Sequence, residues 1–427
     1  MSSPYKTFSI QSFGCKVNFA DSSFISSKLI ENGLSLVKES DIADIYILNT
    51  CSVTENADKK ANKYIKYINA KSPSSRIIVT GCYAQLKADE ISDLPGVDVV
   101  IGMESKFDIE KYIESHSSNV VYRDEISNSE RFDISYSLNE RTRSFVKIQD
   151  GCNYTCSYCT IPNARGKSRS QSIEKTLDNI KEIVNNGVKE IILSGINVGD
   201  FGIDNENLYQ LLLELEKINE LERYRISSIE PNLLSDEIID LISVSNKILP
   251  HLHIPLQSGS DKILKLMKRR YNSKYYFNLI DKIVKKIPNI CIGVDVIVGF
   301  PNENHEDFMK TYNLLNDLKV SYFHVFSYSE RKNTEAEKIK EKILKNEISQ
   351  RRKKLQELSN SKNKSYIFEN LNTFKNVLFE NYENGYLSGL TENYIRVYVK
   401  SEKNHKNKIK KVKLIKNTDF VYGEMYE

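Results

Sequence analysis

A chain of 427 residues, 40% hydrophobic and 28% charged, is long enough for two or three separately cored domains and too apolar to be disordered. No run of it approaches the roughly eighteen apolar residues of a membrane helix. The opening MSSPYKTFSIQSFG lacks the basic start, apolar stretch and cleavage site of a secretion signal, so a cytoplasmic address without a membrane partner is expected. The net charge of +4 sits in residues 361–427, where eleven Lys and one Arg face seven Glu and one Asp. That asymmetry points to a small C-terminal module that meets a polyanion.

Along the first hundred residues short apolar runs alternate with helical patterns. YKTFSIQ, DIYILNT, RIIVTG and VDVVIG read as strands. Between them DSSFISSKLIENG (closed by Gly33), ENADKKANKYIKYINA and a stretch around AQLKADEI read as helices. A βαβα series implies a parallel α/β domain over 1–114. Residues 115–142 are polar and without period, as in a linker. A second series over 143–364 offers six strands: SFVKIQD, EIILSGIN, RYRISSIEP, HLHIPLQ, CIGVDVIVGF and YFHVFSYS. Helices such as SIEKTLDNIKEIVNN and HEDFMKTYNLLNDL separate most of them. Six units fall short of the eight of a closed barrel, so an open partial (β/α)6 barrel is expected, left by a charged helix at about 335–364. From 365 to 427, VLFENY, GYLSGLT, YIRVYVK, KIKKVKLI and FVYGEMY read as a small all-β barrel or sandwich.

Seven cysteines in a chain of this class argue for metal or catalysis and against a disulfide framework. Cys152, Cys156 and Cys159, in DGCNYTCSYCTIPNARG, form a C-x3-C-x2-C loop after the first barrel strand, at the end where barrel enzymes place their chemistry. Structural zinc wants paired ligands at both ends, and the six histidines, His251 and His253 included, offer no partner at such spacing. Three thiolates on one loop suit a 4Fe–4S cluster with one iron open to a cofactor or substrate. Cys15 in FGCKVN, Cys51 in NTCSVTENA and Cys82 in TGCYAQ each follow a predicted parallel strand. They therefore share the rim where α/β folds bind ligands and suit a second such cluster. Cys291, inside CIGVDVIVGF, is left over as core packing.

The C-x3-C-x2-C loop with Tyr158 before its last cysteine resembles the radical S-adenosylmethionine superfamily. Joined to the three-cysteine N-terminal domain and the basic β-domain, it resembles the methylthiotransferase family across the whole chain, with a tail similar to the RNA-binding TRAM domain. GCKVN, VKIQDGCNYTCSYCTIPNARG, ISSIEPN and HLHIPLQSGSDKILKLMKRRY look most like the subgroup acting on threonylcarbamoyladenosine in tRNA. The isopentenyladenosine subgroup reads GCQMN at the first of these, and the ribosomal-protein subgroup reads GCPKN.

The resemblance implies two 4Fe–4S clusters, on Cys152/Cys156/Cys159 and on Cys15/Cys51/Cys82. It also implies two molecules of S-adenosylmethionine, one a methyl donor and one a radical source. The adenosine on the 3′ side of the anticodon would become its 2-methylthio form, with no protein acid or base nominated. Tyr158, Ser194, Gly195, Glu230 and Gln257 are the implied cofactor contacts, SGIN standing where the superfamily has a GGE-like motif, and GFPNE (299–303) resembles its loop near the adenine. Lys400, Lys403, Lys406, Lys408, Lys410, Lys411, Lys413 and Lys416, interleaved with Tyr386, Tyr394 and Tyr398, are the expected RNA contacts. A tRNA partner, an electron donor and a monomeric state complete the expectation, and loss of residues 365–427 is expected to weaken tRNA binding while sparing both clusters. Two rivals make different demands. A non-catalytic iron–sulfur RNA-binding or electron-transfer protein needs no open iron, and an enzyme methylthiolating a ribosomal-protein side chain needs no tRNA.

Anaerobically reconstituted protein is predicted to carry about eight irons per chain. A Cys152/Cys156/Cys159→Ala variant should retain about four and lose the paramagnetic signal that S-adenosylmethionine perturbs. A single cluster indifferent to S-adenosylmethionine would favour the first rival.

Overall fold

The computed structural model describes residues 5–113, 119–137, 142–418 and 420–426, apart from the side chains of Lys416 and Asn417. The N-terminal domain is a six-stranded parallel sheet in the order Ser35–Leu36, Thr7–Ser12, Ile45–Thr50, Arg76–Gly81, Val99–Ile101, Val120–Tyr122. The strands Ile45–Thr50 and Arg76–Gly81 are buried along their whole length, as a sheet covered on both faces requires. Ile45 and Ile47 pack with Ile25 and Leu29 of the helix Lys16–Glu31. Tyr46 and Leu48 point the other way, onto Ile65 and Ile68 of the helix Glu55–Lys71.

Both edge strands went unread in the sequence. Ser35–Leu36 is two exposed residues, and Val120–Tyr122 falls in the stretch expected to be a linker. Of that stretch, 115–118 and 138–141 lie outside the described residues. The remainder is no loose tether. Ser135 and Ser137 are buried, and backbone bonds Ser137 N to Phe145 O (3.2 Å) and Lys147 N to Ser135 O (2.9 Å) cover the free edge of the first barrel strand.

The central domain has six parallel strands in two sheets, Arg143–Lys147, Glu190–Ser194 and Arg223–Ile226, then His251–His253, Cys291–Val298 and Tyr322–Ser327. Parallel bridges Tyr224↔Ile248 and Ser228↔His253 join the two. First and sixth strands are not paired among the described residues, which gives the open partial barrel. The last helix runs Lys345–Asn370, not 335–364. Residues 336–339 are drawn instead against the cysteine loop, through Ala336 N to Ser157 O at 2.8 Å and packing of Ala336 and Ile339 with Met267 and Phe300. Tertiary packing overrides the helical propensity of EAEKIKEK there. Five strands, Phe374–Glu383, Tyr386–Thr391, Arg396–Lys400, Ile409–Asn417 and Val421–Met425, close the C-terminal barrel.

Buried charge joins the parts. Asp21 of the N-terminal domain meets Lys106 at 2.6 Å and the barrel's Lys147 at 3.0 Å, while Arg165 binds Asp150 at 2.8 Å and approaches Asp21 at 3.9 Å. Arg331 reaches back to Asp58 at 2.6 Å. At the opposite end of the strands Glu190 gathers Arg143, Arg223 and Arg225 at 3.7, 2.6 and 2.9 Å. Arg225 donates on to Glu392 O and Thr391 O of the tail at 2.7 and 2.8 Å.

Burial alone would raise the Asp21 carboxyl, but Lys106, Lys147 and Arg165 outweigh it and hold it at about 2. Its contribution to stability is therefore complete above the ordinary carboxylate range and lost as pH falls from about 4 towards 2. Asp21→Asn leaves two buried lysines short of an anion and is expected to cost about 3–5 kcal/mol, with the acid-induced loss in that window blunted. Urea midpoints at pH 7 and pH 3 measure both.

Candidate active site

The cysteine loop is fixed by close backbone approach. A Cβ on Gly151 (φ +70°) would lie 1.9 Å from Lys167 O, so no other residue fits this turn. Cys152 N donates to Gly166 O at 3.1 Å, Ser157 N to Met267 O at 3.2 Å, and Cys159 N to Cys156 O at 3.0 Å. Tyr154 N and Arg269 Nη1 point at the Cys152 and Cys156 sulfurs from 3.4 and 3.3 Å. Arg269 is itself paired with Glu230.

Cys15, Cys51 and Cys82 follow three strands that are neighbours in the sheet. Cys15 caps the helix Lys16–Glu31 and is exposed, whereas Cys51 and Cys82 are buried. A Cβ on Gly14 (φ +103°) would stand 2.7 Å from the Cys51 sulfur, so glycine leaves the room that a shared ligand needs. Arg165 Nε donates to the Cys82 sulfur at 3.3 Å. Arg165 ends the short helix Ile161–Arg165 that begins two residues after Cys159, and this helix packs on Cys82 through Ala164. One turn of chain thus ties one triad to the other.

Burial pushes the Cys51 and Cys159 thiols up to about 12 and Cys152 to about 11, neighbouring thiols adding to the effect. Loading metal must remove those protons. The charge of Arg165 beside Cys82, and that of Arg269 beside Cys159, favours the thiolate form that binds iron. The donor set fits two iron–sulfur clusters with three protein ligands each. Cys291, buried with Tyr366 in the core beneath the tail, belongs to neither.

Among the expected cofactor contacts, Tyr158 is half-buried, edge-on to Phe300 at 6.3 Å. The Ser194 hydroxyl is buried and committed to Ile192 O at 3.1 Å. Gly195 permits the approach of Gln149, whose Oε1 would lie 2.9 Å from an added Cβ and accepts from Asn197 N at 2.8 Å. Glu230 is occupied by Arg269, and Gln257 is half-buried with φ +65°. Gly299 of GFPNE does not face a ligand, since its missing Cβ would strike Ile348 at 2.4 Å, and Glu303 is tied to Arg351 at 2.8 Å. A candidate that the sequence did not single out is Asn197, two beyond Gly195 in SGIN. It is 4% exposed, yet both atoms of its side-chain amide are without a partner in the protein. Such a buried amide wants a ligand, and the amino and carboxylate groups of S-adenosylmethionine fit it.

Residues 146–315 match the model of the radical SAM superfamily, and residues 7–102 match a group described as uncharacterized protein family UPF0004. Over 432 aligned residues the chain is 37% identical to the threonylcarbamoyladenosine tRNA methylthiotransferase MtaB of Bacillus subtilis (strain 168), covering 98% of this chain and 95% of that protein. The chain belongs to the radical S-adenosylmethionine methylthiotransferase family. This family uses S-adenosylmethionine and two 4Fe–4S clusters. A further member, the tRNA-2-methylthio-N(6)-dimethylallyladenosine synthase of Thermodesulfovibrio yellowstonii, is 37% identical over 77% of this chain and 78% of its own. In fold the chain is similar to the radical S-adenosylmethionine methyltransferase TsrM of Kitasatospora setae, with TM-score 0.54 at 12% identity over 75% of this chain and 73% of that one.

The methylthiotransferase tail presents Lys400, Lys403, Lys406, Lys408, Lys410 and Lys411 to solvent, with Lys413 half-buried; the Lys416 side chain lies outside the described residues. Lys411 stands over the rings of Phe374 and Tyr426 at 5.1 and 5.4 Å. Those two exposed aromatics, and Phe420 beside Tyr398 at 4.8 Å, were missed because they lie at strand ends outside the lysine run. Tyr386 is exposed as expected. Tyr394 is not available to bases: in a turn with φ +70° it points at the radical domain and stacks on His251 at 4.0 Å.

Asn197→Ala is predicted to raise the dissociation constant for S-adenosylmethionine about tenfold, the value of one or two hydrogen bonds, with iron content unchanged. Equilibrium dialysis with labelled cofactor checks it. Affinity equal to wild type would leave the orphaned amide without a role.

Proposed function

We propose that the chain converts N6-threonylcarbamoyladenosine beside the anticodon of tRNA to its 2-methylthio derivative. The observation that supports this reading is the tie from Cys159 through Arg165 to Cys82, which links the two cysteine triads. Cys152, Cys156 and Cys159 hold the cluster that binds S-adenosylmethionine, and Cys15, Cys51 and Cys82 the one that delivers sulfur. When bound, the clusters and S-adenosylmethionine supply the electron, the radical chemistry and the methylthio group. The chain itself orients and shields. Asn197 and Tyr158 position the cofactor, Arg269 holds Glu230 while bonding the Cys156 sulfur, and no side chain is required as an acid or base. Identity to a dimethylallyladenosine synthase is as high over a shorter span, so the two modified bases are the substrates to compare. Turnover of tRNA carrying threonylcarbamoyladenosine, with none of tRNA carrying dimethylallyladenosine, is the expected result, and the reverse would exchange the substrate.

The tail supplies the RNA contacts. Its deletion is a poor test, because the tail carbonyls satisfy Arg225 and its Glu380 pairs with Arg143 at 2.7 Å. Lys408, Lys410, Lys411 and Lys413 replaced together by Glu should raise the dissociation constant for tRNA at least tenfold. The salt dependence should flatten by about one log unit for each phosphate that these lysines neutralise, measured by filter binding between about 50 and 200 mM salt. Unchanged affinity and slope would take the tail out of RNA recognition.

A further inference from the structure

The barrel strands carry a second, partly exposed polar group away from the six cysteines. His253 Nε2 lies 3.0 Å from Asp295 Oδ1, and His324 stacks on His253 at 5.7 Å, the three coming from the fourth, fifth and sixth barrel strands. Lys16 enters the same space from the N-terminal domain. It lies within electrostatic reach of Asp295, Arg143, Arg225, His251 and His324. Its side chain is accessible to solvent, and among the described residues it has no hydrogen-bond or ion-pair partner.

The charges around it are otherwise committed. Glu190 answers Arg143, Arg223 and Arg225, and Asp295 is engaged by His253. Among the described residues Lys16 is the uncommitted cation of this group, and being accessible it is free to pair with an anion that arrives beside it. It also directly follows Cys15, the exposed member of its triad.

Resting on the substrate reading above, the chemistry of the base supplies that anion. The threonylcarbamoyl group on N6 ends in a carboxylate, whereas a dimethylallyl group carries no charge. Carbon 2, which receives sulfur, and carbon 6, which carries the substituent, flank the same ring nitrogen. A residue next to the sulfur-bearing triad is therefore placed to meet the substituent. We propose that Lys16 binds the carboxylate of the threonylcarbamoyl group and so selects this base over neutral N6-modified adenosines. Glutamine, which stands at this position in GCQMN, offers an amide and no charge.

The test compares anticodon stem-loops whose threonylcarbamoyladenosine is a free acid or its methyl ester, against wild type, Lys16→Gln and Lys16→Arg, with iron per chain measured for each. Fluorescence anisotropy gives affinity and product analysis gives kcat/KM. Wild type should bind and turn over the acid at least tenfold better than the ester. Lys16→Gln should lose that preference with its iron retained, and Lys16→Arg should recover most of it. Wild type acting equally on acid and ester overturns this assignment alone, as does Lys16→Gln that keeps the full preference. Wild type inactive on the acid but active on a dimethylallyl stem-loop overturns the substrate reading first. The acid–ester comparison in wild type decides even where Lys16→Gln fails to hold its iron.

Discussion

Asp21 and Asp150 share Lys106, Lys147 and Arg165 in a seam with almost no access to water. Ion pairs buried to this degree return little net stability, because desolvation consumes most of the attraction. What they impose is register. An apolar seam tolerates sliding, whereas five charges that must each find a partner accept one docking pose. Both cysteine triads hang on that pose. Arg165 is at once the partner of Asp150, a neighbour of Asp21 and the donor to the Cys82 sulfur. A shift that strained the seam would move the sulfur with it.

The cysteines were legible because strand ends are legible. A run such as DIYILNT or RIIVTG announces a buried parallel strand, and the residue after it lies on the ligand-binding rim. That rule grouped Cys15, Cys51 and Cys82, while the C-x3-C-x2-C spacing grouped Cys152, Cys156 and Cys159. The groups that hold those thiols were not readable, although Arg165 lies within DGCNYTCSYCTIPNARG and Arg269 within MKRRY. An arginine shows its partner only once the fold brings distant chain together, here 83 and 113 residues away. The same holds for Asn197. Its signal is the absence of a partner, which no sequence displays. Local propensity misled at 335–344, where packing on the cysteine loop leaves a single 3-10 turn, Ala336–Lys338, in place of an α-helix. It also misled at Tyr394, whose place in the tyrosine-rich tail suggested a base and whose turn delivers it to His251.

The two ends of the radical barrel carry opposite duties. At the ends where its strands finish lie the cysteine loop and the unpartnered amide of Asn197. Where the strands start, Arg223 and Arg225 are sealed by tail carbonyls and Arg143 by the tail's Glu380 carboxylate, around Glu190. The tail is thus part of the barrel's own solvation as well as the carrier of the basic face. An RNA that touches its lysines and offers a base at the cysteine rim must run the length of the barrel. That is a task for a stem with a loop at its end, and a poor one for a short single strand.

Differences within the triads indicate the direction from which the base arrives. Cys51 and Cys82 are buried behind the sheet rim, with Arg165 closing the far side, while Cys15 alone is exposed. In the proposed reaction Cys15, Cys51 and Cys82 would hold the cluster that supplies sulfur, with Lys16 directly following the exposed member of the three. The loop of Cys152, Cys156 and Cys159, tied to the first triad through Arg165, would hold the radical source. Substrate would then lie between the two triads, with its N6 substituent on the Lys16 side. That ordering places selectivity beside the sulfur donor, where an incorrectly substituted base would be rejected in the same pose that brings carbon 2 within reach.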